Sequence, residues 1–368
     1  MLTPLGISSH AELAAGAFRG ASSLEFEIQT QPDPVDRVAV TLRREGLLVL
    51  QKELPASFRA PGTHVWKWDG FDTSDVLDTR ALTGNYSIEV RSEIKGVPEF
   101  AIARMVAARE GPGWVDATVD RKKKTIEVEL RVDLREGASY GIGALPPAAV
   151  QALPGFKALK PTDARRLAHT RVRSFSGLES LALDGIRLYW SRSVNAPGGA
   201  SYAVSVDPVS TRRNAMDDVS IAYNSNRGWM RSSNPGRVRG VYSLFGNFVP
   251  ERIAYNVGWI EYNSGWAYRR ALDADREFSV TAAHEIGHEI LSAYGGDAYS
   301  FSHRGSSTVV TQTPLPPAAG GSTYPAAGSI DLMMYYNGLR PASYYSMISA
   351  SESDVLSLLW LARVRFRG

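Results

Sequence analysis

The stretch His284-Glu285-Ile286-Gly287-His288 carries residue types and a spacing that can do chemistry. On an α-helix, residues four apart lie on one face, so two histidines at this spacing can hold a single ion. Zn²⁺ accepts neutral imidazole nitrogens, and a catalytic zinc site keeps one position open for water. Glu285, one step round the helix, can take a proton from that water as it attacks a carbonyl. The chain has six histidines, and His284, His288 and His303 fall within twenty residues of one another. The competing reading is an ordinary core helix that carries this short pattern by chance.

The motif needs a helix with two jobs. Phe278, Ala282, Ile286, Ile290 and Ala293 recur at helical spacing away from the two histidines. One face is therefore predicted to pack into a core while the other presents ligands. Glu289 interrupts the apolar arc. Asp273 and Asp275 mark the start, and Gly295-Gly296 the stop. A catalytic zinc needs one more protein ligand. The metzincin pattern supplies a third His after a gap of about five residues, and no His stands there. The thermolysin-like arrangement needs a downstream Glu, and none occurs between Glu289 and Glu352. Three candidates remain, ranked His303, then Asp331, then Asp297. His303 is an imidazole on a loop that can fold back to the helix. Asp331 lies in Ser329-Ile330-Asp331-Leu332-Met333-Met334-Tyr335-Tyr336, and Asp297 follows the Gly-Gly break. Each has a plainer reading as a surface or helix-capping residue.

The rest of the chain must position these groups. At 368 residues, two domains are the default, each able to bury a core. Apolar content of 44%, charged content of 21% and a net charge of +3 describe an ordinary globular protein and do not argue for nucleic acid. The absence of cysteine excludes disulfides, thiolate zinc sites and cysteine nucleophiles. The first twenty residues lack the basic and apolar regions of a signal peptide. No apolar stretch is long enough to span a bilayer.

Residues 20 to 108 alternate as short strands: Leu24-Glu25-Phe26-Glu27-Ile28, Arg37-Val38-Ala39-Val40-Thr41-Leu42 and Tyr86-Ser87-Ile88-Glu89-Val90. This predicts a sandwich over residues 1–108. Asp69, Asp72, Asp75 and Asp78 lack the Gly and terminal Glu of a calcium loop, so a polar sandwich loop is expected. Residues 109–160 form a join, with a hairpin from Trp114 to Leu134 turning on the basic run Arg121-Lys122-Lys123-Lys124. The second domain is expected over 161–368. In it, Ile221-Ala222-Tyr223-Asn224 recurs as Ile253-Ala254-Tyr255-Asn256. These read as strand ends turning on Asn. With Trp259, Trp266 and Tyr268 they suggest a small sheet packed on the motif helix, or else a substrate-lining edge. Ser351 and Asp354 are expected to cap a closing helix with Val355, Leu358, Leu359 and Ala362 on its apolar face.

Two segments resemble known families. Trp68-Asp69-Gly70 followed by Gly84-Asn85-Tyr86 resembles the Ig-like domain of the flagellar hook-capping protein. The His-Glu-x-x-His motif, the loop Gly295-Gly296 through His303 to Ser306-Ser307, and Ile330-Asp331-Leu332-Met333 together resemble zinc metallopeptidase toxin domains associated with type VI secretion. The last of these segments is similar to the Met-turn beneath the metal in several zincins. The resemblance implies an effector delivered without a signal peptide to the periplasm of a competing cell, with secretion-spike and immunity-protein partners. Ser329 stands where the family would have an acidic residue, which leaves Asp331 or His303 as the further ligand. The expected architecture is an N-terminal all-β Ig-like sandwich followed by an α+β zincin-like metallopeptidase domain. Zn²⁺ on His284, His288 and His303 or Asp331, Glu285 as base, and Tyr335 or Tyr336 beside the oxyanion would hydrolyse a protein or peptide substrate. A zinc amidase acting on peptidoglycan peptides, and a non-catalytic docking protein with a degenerate site, are the alternatives.

Overall fold

The computed structural model describes residues 1–15, 22–30, 33–141, 151–152, 171–233, 251–263, 265–310 and 312–368. The expected domain start near residue 160 lies outside them. Strand dominates, in several separate sheets. The chain divides into two compact units: Met1–Glu129 with Ser193–Ser205 and Glu352–Gly368, and Leu130–Arg192 with Val206–Ser351.

In the first unit, a five-stranded antiparallel sheet runs in the order Val364–Arg367, Val97–Arg109, Gly84–Ile94, Arg37–Arg44, Leu47–Glu53. Alternation decides which way the side chains face: Val38, Val40 and Leu42 are buried while their neighbours are not. Leu24–Thr30 pairs antiparallel with Gly62–Trp68. The Trp68 ring lies 5.8 Å from that of Tyr86 and 5.7 Å from that of Phe366. The Trp-Asp-Gly turn has a local cause. Trp68 Nε1 donates to the Phe71 carbonyl at 2.9 Å, and Gly70 takes a φ of +87°. A Cβ there would sit 2.5 Å from Leu2 Cδ2, so the turn admits only glycine without rearrangement.

The acidic loop and the basic turn explain one another. Asp72 Oδ1 accepts from Ser74 N at 2.8 Å and from Val76 N at 2.9 Å, an Asx-type turn. Asp69 pairs with Arg121 at 2.6 Å, and Asp75 with Lys122 at 3.4 Å. The run Arg121–Lys124 joins Val115–Asp120 to Thr125–Tyr140, as a hairpin turn should.

The expected limits of 1–108, 109–160 and 161–368 are not those of the compact units. The closing helix Glu352–Leu361 and the strand Val364–Arg367 belong with the first unit. Val364 exchanges backbone hydrogen bonds with Leu2, at 2.7 and 3.0 Å, so the chain's two ends meet in one unit. The outer edge of Val97–Arg109 accepts Val364–Arg367 between Val106 and Arg109, a pairing that no local pattern specifies.

In the second unit, the strand that ends at Tyr140 lies parallel to Asp218–Gly228, which lies parallel to Arg252–Tyr262; Gly265–Arg269 closes that edge antiparallel. The internal repeat pairs with itself: Ile221 with Ile253, Ala222 with Ala254, Tyr223 with Tyr255 and Asn224 with Asn256. The Asn224 side-chain amide donates to Asn256 Oδ1 at 2.7 Å. These residues are therefore mid-sheet partners, not strand ends. Tyr255 meets Phe278 of the motif helix edge-on at 5.6 Å, so the sheet packs on that helix. Ala254 and Asn256 also line a cleft.

The motif helix runs Ala271–Gly295 and ends as expected at Gly296, whose φ is +84°. Phe278, Ala282, Ile286 and Ile290 are buried, whereas Ala293 is exposed. Glu289 accepts Asp217 N–H at 3.0 Å, which accounts for a carboxylate within the apolar arc. Helix Phe175–Trp190 lies close against it: a Cβ on Gly185 would stand 2.3 Å from the Ser279 carbonyl oxygen. Trp190 Nε1 donates to the Ala283 carbonyl at 3.1 Å.

Candidate metal centre

His284 and His288 come from the motif helix. His303 comes from the turn after the short helix Asp297–Phe301. Their potential ligand nitrogens all lie within 4.8 Å of one another. The His284 and His288 rings stand 4.8 Å apart, His288 and His303 also 4.8 Å, and His284 and His303 5.3 Å. His303 is wholly buried and has the left-handed φ of 50°, uncommon for a residue with a side chain. The structure thus brings together His284, His288 and His303.

Each ring is oriented by a hydrogen bond at Nδ1. His284 Nδ1 lies 2.8 Å from the Leu332 carbonyl, which can only accept. His288 Nδ1 lies 3.0 Å from Ser300 Oγ, whose own proton goes to the His288 carbonyl at 2.7 Å. His303 Nδ1 lies 2.7 Å from Ser307 Oγ. Nδ1 of His284 and of His288 therefore carries the proton, and the Nε2 lone pair is left for a ligand. His303 Nε2 is buried and has no hydrogen-bond partner. A buried polar atom without a partner costs free energy unless something binds it, and a cation does. Burial pushes all three imidazoles below their ordinary value, His288 well below it and His303 to about 2. All three are neutral near pH 7, the form that ligates. On these observations the residues fit a metal ion.

The other candidates sit elsewhere. Asp331 is outside the histidine group: its carboxylate accepts from Arg304 and from Met333 N at 2.9 Å. It shapes the segment whose Leu332 carbonyl orients His284. Asp297 is exposed in the first turn of its short helix. Tyr336 Oη accepts from Asp331 N at 3.0 Å, so it braces the same segment. Tyr335 is the tyrosine at the histidines. Its ring stacks on His303 at 3.7 Å, and its N–H donates to Ser306 Oγ at 2.8 Å. Burial, and next the Glu285 carboxylate, push its hydroxyl up to about 12, so it stays protonated and able to donate. Glu285 is buried and, with His284, Tyr335 and Asp331, lines a cleft of about 490 Å³.

The residues behind the three histidines leave no pattern in the sequence. Ser300 and Ser307 flank His303 in a Ser-rich loop, and only their contacts show the role. Gly287 is equally silent in the sequence and decisive in the packing. A Cβ there would lie 2.3 Å from Met333 Sδ and 2.9 Å from Trp190 Cζ2. Met333, fully buried, packs beneath the motif helix at that glycine. Gly287→Ala is therefore expected to destabilise the second unit by about 1–3 kcal/mol through overpacking, against the small gain alanine brings to a helix. It should also weaken metal binding, because Leu332 moves with Met333. Thermal melting and metal titration of the variant check this; unchanged values for both would show that the segment is not held against Gly287.

No family model matches the chain, and no curated protein matches it. Among solved structures, FlgD from P. aeruginosa matches at 21% identity, over 27% of this chain and 63% of that one, with a TM-score of 0.19. The match spans less than two thirds of FlgD. No helix among the described residues is long and apolar enough to cross a membrane.

Proposed function

We propose that this chain is a zinc-dependent peptide-bond hydrolase, with a zincin-type α+β unit that carries the site and an Ig-like β unit. The observation that carries the reading is the triad of neutral imidazoles, each oriented from behind, beside the buried carboxylate of Glu285. His284, His288 and His303 would hold the ion. Zinc, when bound, supplies Lewis acidity to a water and to the scissile carbonyl. Glu285 takes the proton of the attacking water and passes it to the leaving amine. Tyr335, kept neutral by burial, donates a hydrogen bond to the carbonyl oxygen as it gains charge. Delivery as an effector to a competing cell rests on the resemblance of the motif, loop and Met-containing segments alone.

Elemental analysis of gently purified protein tests the reading, with about one zinc per chain expected for a three-His site. Chelation should abolish cleavage of a mixed peptide substrate, and added zinc should restore it. Protein that holds no metal and takes up none when zinc is added would overturn the proposal.

A further inference from the structure

Resting on the hydrolase reading, we propose that Arg231 is a specificity-determining residue that receives a substrate carboxylate beside the scissile bond. Arg231 lines the same cleft as His284, Glu285 and Tyr335. Its root is held in place. The Arg231 carbonyl accepts from Arg252 Nε at 3.2 Å, and Ser233 bridges to Arg252 on the neighbouring strand. The guanidinium reaches Gln312 Oε1 and interacts with the Tyr335 hydroxyl. Gln312 itself takes a left-handed φ of 49°, with its N–H donating to the Thr308 carbonyl at 3.0 Å.

Most charged groups of the cleft already face an opposite charge; Arg269, which also lines it, acts on Glu277 and helps to hold that carboxyl below its ordinary value. Arg340 is neutralised by Glu277, at 2.7 and 3.0 Å, and Asp331 by Arg304. The partners of Arg231 are a neutral amide and a neutral phenol. Among the described residues, no carboxylate lies within ion-pair distance of it. A guanidinium presents a planar fork that matches a carboxylate bidentately, and such charge-assisted bonds are the strong ones. Tyr335, whose hydroxyl the fork meets, stacks its ring on His303 at 3.7 Å, so the fork stands in the same cleft as the proposed cutting site. A substrate with an acidic side chain, or a chain-terminal carboxylate, at that position would exchange water for this fork.

The test uses the full zinc-loaded chain and a mixed peptide library, with cleavage sites read by mass spectrometry. Matched peptides then carry Glu or Gln at the preferred position, and free-acid or amide C-termini. Wild-type protein should favour the Glu peptide, or the free acid, by roughly 10- to 100-fold in kcat/KM, the range of a hydrogen-bonded charge. The Glu/Gln arm identifies a side-chain carboxylate and the acid/amide arm a terminal one; either supports the proposal. Arg231→Gln should erase the preference, bringing the ratio of the two rates to about one by a larger loss on the charged peptide, and Arg231→Lys should retain part of it. Equal rates on charged and neutral peptides, or an equal loss on both in Arg231→Gln, would overturn it. If no peptide is cut at all, the hydrolase reading falls. Fluorescence polarisation with the labelled Glu and Gln peptides then decides Arg231 separately: tighter binding of the Glu peptide by wild type than by Arg231→Gln supports the carboxylate site, and equal binding removes it.

Discussion

Replacing Glu285 with alanine should lower peptide hydrolysis by roughly 10²- to 10⁴-fold, the usual contribution of general acid–base catalysis, while the metal and the fold remain. The expectation follows from the division of labour in the centre. The three imidazoles whose nitrogens converge are His284, His288 and His303, and Glu285 is not one of them. Its carboxylate is buried on the cleft wall, near enough to Tyr335 to push that hydroxyl up. Removing it takes away the proposed proton acceptor and leaves the three imidazoles and the bonds behind them in place. The variant should therefore retain its zinc stoichiometry and a cooperative melt. A variant that loses zinc together with activity would show that Glu285 is a ligand and not the base.

His303→Ala should weaken zinc binding by more than 100-fold, whereas Asp331→Asn should cost roughly 10- to 100-fold, the effect of a change behind a ligand. His303 supplies one of the three converging nitrogens, and its Nε2 has no other partner. Asp331 acts at one remove. Its carboxylate holds Arg304 and the Met333 N–H, and through that segment the Leu332 carbonyl that orients His284. Asparagine there removes the carboxylate that pairs with the half-buried Arg304, so some loss of stability is expected as well. Titration of both variants against a competing chelator separates the two roles, with melting of the metal-free proteins as the control for folding. Loss of binding in Asp331→Asn with binding kept in His303→Ala would reverse the assignment.

Local pattern determined a good deal about this protein. The four-residue spacing of His284 and His288, the carboxylate between them, the apolar face through Phe278 and Ile286, and the Gly295-Gly296 stop are all properties of one helix, whose periodicity is written in adjacent residues. The alternation of Val38, Val40 and Leu42 and the Trp68-Asp69-Gly70 turn are equally local. What depended on long-range contact was decided only in three dimensions. His303 joined the pair, and Asp331 did not, because Ser306 ties the turn to Tyr335 while Arg304 claims the Asp331 carboxylate. Neither bond leaves a periodic trace in the sequence. The repeat around Asn224 and Asn256 was visible, but parallel pairing of the two copies is a matter of register between distant strands. The place of Val364–Arg367 at the sheet edge beside Val97–Arg109 was likewise invisible. A strand's own residues specify which face is apolar, and the partner is selected by whichever unpaired edge the rest of the fold leaves open.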